Sequence, residues 1–322
     1  PVFSIGVWGK VGLHLRGNVL GYSEVRAPKK LLVTGGTGVA DAHHAFNSIE
    51  FHQTYLLDFY DRYLKGKRNG WEKTPDVRIH VRGDEVVRAE NEWPLKRAKT
   101  VAYYLGKGPS GSVVSLNDGA LTTEKPAKGE GATSYTYPDA QWPGSVITPT
   151  KFGPDPVRRI LTFTSAPLAA DLEVTGHIVL ELYAASDQPD TDFIVRVSEQ
   201  MPLAAKAKKE GRQPPFAVAS KGWLKASHRE LDRKRSRPGV PYHTHGDPQP
   251  LLPGEVTKFD IEVQPTAYVF RKGSRIRLEL ANGDSPATDH FFHHYLWQKC
   301  GTDTIHHDAT HPSRLLLPVV AR

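Results

Sequence analysis

From Val77 to the C-terminus the chain breaks into short runs rich in Val, Ile, Thr and Tyr, separated by Pro, Gly and Asp. Runs of this kind are Val77 to Val81, Val101 to Leu105, Ile160 to Thr164, His177 to Tyr183, Asp192 to Val197, Glu255 to Val263 and Ser274 to Leu280. Many short strands joined by turns predict a β-sandwich or jelly roll. The 25 prolines and 28 glycines among 322 residues suit that reading and count against a helical protein. Arg275 to Leu280 alternates polar and apolar residues, which predicts a strand with one wet face. Met201 to Gly222, polar and rich in Lys and Pro, reads as a loop. No internal repeat is visible.

The first 70 residues have a different texture. Val2 to Trp8 and Lys29 to Thr34 read as buried strands, the second ending in Gly35-Gly36. Leu13 to Val25 between them reads as a helix closed before Pro28. His52, Leu56, Phe59, Tyr60 and Tyr63 share one face of a further helix, which Gly66 would cap. Strand, helix, strand, helix is a piece of a parallel sheet. Two strands cannot form a doubly wound domain, so this piece must complete something else.

Composition excludes several classes of function. The charge is +7, from 42 Lys and Arg against 35 Asp and Glu, and the basic stretches lack interleaved aromatics, so nucleic acid is not expected as a partner. No apolar stretch is long enough to cross a bilayer, so no membrane partner is expected. No charged-then-apolar leader opens the chain. Cys300 stands alone, which excludes an internal disulfide and a multi-cysteine zinc site.

The candidate chemistry is sparse. No G-x-S-x-G elbow exists, and Ser285 within Gly283-Asp284-Ser285-Pro286-Ala287 reads as a turn residue. Thr34-Gly35-Gly36-Thr37-Gly38 is a partial dinucleotide fingerprint without the βαβ units that would support it, so no cofactor is expected. Three histidine groups (His290, His293 and His294; His243 and His245; His306 and His307) lack the usual helical ligand spacing, and no metal is expected. His43-His44 lies in the loop after Gly35-Gly36, where α/β enzymes place catalytic groups.

Several blocks resemble the CocE/NonD serine hydrolases, relatives of cocaine esterase, α-amino-acid ester hydrolases and Xaa-Pro dipeptidyl-peptidases. Phe59-Tyr60-Asp61-Arg62-Tyr63-Leu64-Lys65-Gly66 is similar to that family's aromatic-Asp-x-aromatic-Leu-Lys-Gly helix end. Val77 to Val81 with Glu92-Trp93-Pro94-Leu95, and Asp171 to Gly176, follow in the family's order. So do Ser186 to Phe193, Gly222 to Arg229, Leu252 to Val256, Phe270 to Leu278 and His311 to Pro318.

The resemblance implies a C-terminal remnant of an α/β-hydrolase domain over 1–75. Over 76–322 it implies an Xaa-Pro dipeptidyl-peptidase-type jelly roll, galactose-binding-like. It implies an acyl hydrolase of esters or amides, a dipeptidyl-peptidase among the forms, acting on a small-molecule ester, amide or peptide. A full member carries a Ser-Asp-His triad in that chain order, and this chain resembles only the part from the Asp-bearing strand onward. The acid position after the strand is Lys10, in Val7-Trp8-Gly9-Lys10, and the base position is Gly38. An ammonium at the acid position would repel an imidazolium rather than stabilise it. No triad residue is then intact, His43 and His44 are the fallback bases, and the lone chain is expected to be inactive. The alternative is a non-catalytic jelly-roll binding module. In either case an exposed parallel edge predicts a homo-oligomer or an N-terminal partner segment.

Overall fold

The computed structural model describes residues 1–10, 14–36, 46–111, 117–129, 131–137, 161–210, 212, 214–282 and 300–322. Two sheets organise it. The smaller has the order β1 (Val2–Val7), β2 (Lys29–Thr34), β3 (Val77–Val81), β4 (Val86–Glu90). The first three strands are parallel and β4 returns antiparallel to β3. Helix α1 (Arg16–Glu24) is the crossover from β1 to β2, within the expected span, and buries Val19 and Tyr22. The sheet runs across residue 75, because β3 and β4 extend what β1 and β2 begin.

The second helical segment runs from Ile49 through a π-helical stretch, His52–Leu56, into α2 (Leu57–Leu64). Phe59 packs against Phe3 and Trp71, with ring centroids 5.8 and 5.5 Å away. Of the rest of the expected apolar face, Leu56 and Tyr63 are half-buried. His52 and Tyr60 are exposed, and Ile49 and Leu64 are 76% and 77% exposed. The Asp61 carboxylate takes ion pairs from Lys65 and Lys67, and Gly66 at φ 66° ends the helix in the left-handed region.

The second sheet accounts for the β texture after Val77. Its strands are β5 (Lys99–Lys107), β6 (Gly119–Thr122), β7 (Ala132–Tyr137), β8 (Leu161–Ser165), β9 (Leu172–Ser186), β10 (Asp192–Gln200), β11 (Phe216–Lys225), β12 (Thr257–Phe270), β13 (Arg275–Ala281), β14 (Gly301–His306) and β15 (Arg314–Val320). Nine of them close into a barrel in the order β12-β11-β10-β13-β8-β6-β5-β15-β9, with β9 pairing back to β12. β14 takes over the edge of β9 near its C-terminal end, and β7 pairs beyond it. The closing contact between β11 and β12 is a single pair, Gly222 with Val263, and a Cβ at Gly222 would stand 2.3 Å from the Glu262 carbonyl oxygen. Only glycine allows that approach.

Inside the barrel Phe163, Phe193, Phe259, Phe270, Leu180 and Leu315 are buried in one apolar core. A second core joins Val33 and Ile79 of the small sheet, Trp8 just after β1, and Leu15 and Val19 of the crossover to Ala267 and Val269 of β12. The backbone of Arg82 bonds to Ala267 and Val269, so the end of β3 is stitched onto the barrel wall.

Two expectations are corrected here. Met201 to Gly222 is not one loop: it holds a short helix, α3 (Ala205–Lys209), and the first part of β11. The alternation in β13 does not give a wet face, since Arg277 and Glu279 are 1% and 3% exposed. Glu279 pairs with both Arg196 and Arg277, and both guanidinium groups lie over the Phe216 ring at 5.2 Å. Charges that neutralise one another under an aromatic lid can occupy an interior face that alternation alone assigns to water.

Candidate functional site

Three parallel strands bring their C-terminal ends to one edge, the place where open α/β sheets carry their chemistry. Val7 and Thr34 are register partners, so the segments after β1 and β2 leave side by side. The first is a 3-10 turn, Trp8–Lys10; the second opens with Gly35-Gly36. Trp8 is buried, reaches past β2, and donates its indole N–H to the His80 carbonyl oxygen at 2.6 Å. Its ring also supports the Arg82 guanidinium, 5.2 Å from the ring centroid, with Tyr268 at 5.3 Å on the same cation. Arg82 donates to the Thr266 hydroxyl at 2.6 Å and the Ala219 carbonyl at 2.5 Å. Burial lowers its pKa to about 10, so it is still a cation at neutral pH.

His80, on β3, occupies the space beside the exit of β2. A Cβ on Gly35 would lie 1.9 Å from its Nδ1, so the strand leaves across the imidazole only because residue 35 has no side chain. His80 Nε2 is 3.0 Å from Glu85 Oε2. Glu85 sits at φ 56° in the β3–β4 turn, and its other oxygen accepts from the Gly83 N–H at 2.9 Å. Burial lowers the His80 pKa, and the Glu85 charge opposes that shift. The two side chains thus form a close imidazole–carboxylate contact at the end of β3. His80 was not among the residues the sequence singled out; its signal is its position on β3, which pairs in parallel with β2.

Of the candidate positions read from the sequence at this edge, Lys10 alone falls among the described residues. Lys10 closes the turn after β1, and its side chain lies outside the described residues. Gly38, His43 and His44 also lie outside them, as do Ser285, His290, His293 and His294.

The remaining histidines are separated or joined in ways the sequence did not show. His243 and His245 do meet, at 5.8 Å between rings, and His228 joins them with its Nδ1 3.0 Å from that of His245. Near the contact of α1 with β12, Arg16 pairs with Glu262 at 2.8 Å. His177 receives the Trp93 indole N–H at 3.3 Å. Burial holds both His177 and His243 down to about 4, so both are neutral at pH 7. His306 and His307, adjacent in sequence, part company: His307 is buried against Phe163 and bonds Thr133, while His306 turns toward Asp308 and His311.

Comparison with known proteins adds to this geometry. Residues 69–316 match the family described as the X-Pro dipeptidyl-peptidase C-terminal non-catalytic domain. A Mycobacterium tuberculosis protein named "Putative serine esterase" is 31% identical over 287 residues, covering 84% of this chain and 41% of that protein. Cocaine esterase of a Rhodococcus species is 27% identical over 284 residues, covering 82% of this chain and 45% of the esterase. The solved structure of a CocE/NonD family hydrolase from Staphylococcus aureus superposes with a TM-score of 0.77 at 22% identity. It takes in 100% of this chain and 54% of its own. The chain therefore spans about half the length, or less, of the relatives it matches.

Proposed function

Because the chain belongs to the CocE/NonD hydrolases and carries their X-Pro dipeptidyl-peptidase C-terminal non-catalytic domain, we propose that it is the C-terminal part of an acyl hydrolase acting on esters or amides. On this reading the small sheet is the end of an α/β-hydrolase lobe. The barrel is the jelly roll, galactose-binding-like, that accompanies it. The observation that carries the reading is the side-by-side exit of β1 and β2, continuous with a barrel that lies in the matched span. These are the two strands after which such a lobe holds its acid and its base. Here the acid position is Lys10 and the base position is Gly38. A small ester, an amide or an Xaa-Pro peptide is the substrate class of the whole protein, and this chain by itself does not turn it over.

The partner follows from what is left uncovered. Among the described residues β1 pairs with β2 alone, which leaves one parallel edge open. Beside it Ile49, Leu57, Tyr60 and Leu64 present apolar surface to solvent. An N-terminal hydrolase segment that continues the sheet past β1 and packs on α2 would cover both.

The test is turnover by the purified chain on p-nitrophenyl esters and on Xaa-Pro anilides. The expected result is release no faster than buffer with both. Saturable release by the chain alone would overturn the reading.

A further inference from the structure

A cluster of ligand-type side chains lies away from the sheet edge, where β14 turns into β15. His306 ends β14, and the turn back is tight. His307 bridges to Pro312, and the Ser313 hydroxyl donates to the His306 carbonyl at 2.6 Å. That closure brings the His306 and His311 rings to 5.5 Å between centroids. Asp308 lies between them. Its Oδ1 accepts from the backbone N–H groups of Thr310 and His311 at 2.7 and 2.9 Å. Its Oδ2 faces His311 Nδ1 at 3.4 Å and His306 Nδ1 at 3.9 Å. The three donor atoms lie within 4.8 Å of one another, and all three residues are half-buried. Against the His311 ring Tyr183 packs at 5.6 Å, which limits its rotation.

We propose that His306, Asp308 and His311 form a three-ligand site for a divalent transition-metal ion, zinc above all, with the remaining coordination position open to solvent. Zinc takes two imidazoles and a carboxylate at about 2.0–2.2 Å in a tetrahedral arrangement, which spaces ligand atoms by roughly 3.4 Å. Of the two separations at Asp308, 3.4 Å matches that value and 3.9 Å exceeds it by about half an ångström, within the reach of small ring rotations. Hard ions such as magnesium and calcium prefer all-oxygen shells, which this donor set does not offer. A bound ion would clip the β14–β15 turn and fix the entry of β15 into the barrel. The expectation from sequence was that no metal binds. The proposal departs from it because the three side chains, neither helical in spacing nor adjacent, are brought together only by the turn.

The experiment is equilibrium dialysis of the tag-free chain against zinc chloride, with metal analysis, repeated with magnesium chloride. The expected result is one zinc per chain and no magnesium. Outer-shell partners of a metal are already worth about 10- to 100-fold in affinity, so His311→Ala or Asp308→Ala should weaken zinc binding by at least that much. His228→Ala, in the other histidine cluster, should leave it unchanged. Cobalt loading adds a second readout, a visible absorption band that His311→Ala removes. Far-UV circular dichroism checks that each variant folds, with His311→Gln replacing the alanine variant if it does not. Absence of stoichiometric zinc, or zinc retained in a His306→Ala/His311→Ala variant, would overturn the proposal.

Discussion

Gly35 and His80 share a space that only one of them can fill: the imidazole Nδ1 stands 1.9 Å from where a Cβ on residue 35 would be. This packing fixes the exit of β2 relative to the end of β3, and with it the shape of the candidate edge. Gly35→Ala should therefore destabilise the chain by about 1–3 kcal/mol, the usual effect of overpacking a well-filled site. His80→Ala in the same chain should recover part of that loss, because the clash is with the ring. A double-mutant cycle by urea unfolding measures the coupling. Additive effects would mean that Gly35 is needed for something other than His80.

Glu279 supplies a second prediction. Burial pushes its carboxyl upward, but the Arg196 and Arg277 charges and their hydrogen bonds outweigh that and bring it down to about 2. Removing its charge takes from two buried guanidinium groups the carboxylate that each pairs with. Glu279→Gln should cost roughly 3–5 kcal/mol at pH 7. A folded pKa below the unfolded one stabilises the fold above the unfolded value, and that contribution fades as pH falls from the ordinary glutamate range toward 2. Urea midpoints at pH 7 and pH 3 check both parts, since the gap between wild type and variant should narrow at pH 3.

His177 and His243 act in a different pH window. Both are held near 4 by burial, while the unfolded chain takes up protons at the ordinary histidine value near 6.5. The unfolded state then binds more protons below that value, so stability falls as pH drops from about 6.5 toward 4 and is insensitive to these groups above it. Wild type should lose stability between pH 7 and pH 5. A His177→Asn/His243→Asn variant, less stable at pH 7, should show a flatter dependence over the same range. An unchanged slope in urea titrations at the two pH values would contradict the assignment.

The uncovered face beside β1 predicts self-association of the chain when nothing else covers it. Leu57 and Leu64 are exposed on α2, so charging them should change fold stability by no more than about 0.5 kcal/mol. Leu57→Lys/Leu64→Lys should shift light scattering toward the monomer, while the wild type sediments as a larger species. A wild-type chain that stays monomeric at high concentration would count against this face as a docking surface.

Much of the architecture was legible from pattern. The β-branched runs after Val77 became strands because their side chains fit a pleated, buried surface. Leu13 to Val25, read as a helix closed before Pro28, holds α1 over Arg16–Glu24. Other features needed the third dimension. Val77 to Val81 looked like the first strand of the barrel domain, but parallel pairing to β2 puts it in the small sheet, a link that no local signal carries. Arg277 and Glu279 looked solvated because alternation reports polarity and not pairing across strands. The family resemblance offered Lys10 and Gly38 as triad positions, and the loop after Gly35-Gly36 offered His43 and His44. Neither pointed to His80, whose relation to Gly35 arises only when β2 and β3 lie side by side.

On the function proposed above, the chain is the C-terminal part of an acyl hydrolase, and none of its serines is expected to be an activated nucleophile. The most direct measurement is intact mass after exposure of the tag-free chain to a fluorophosphonate, which bonds to activated serines. The expected result is the unmodified mass of a 35.7 kDa chain. One adduct per chain on a single serine, lost when that serine is changed to alanine, would contradict it.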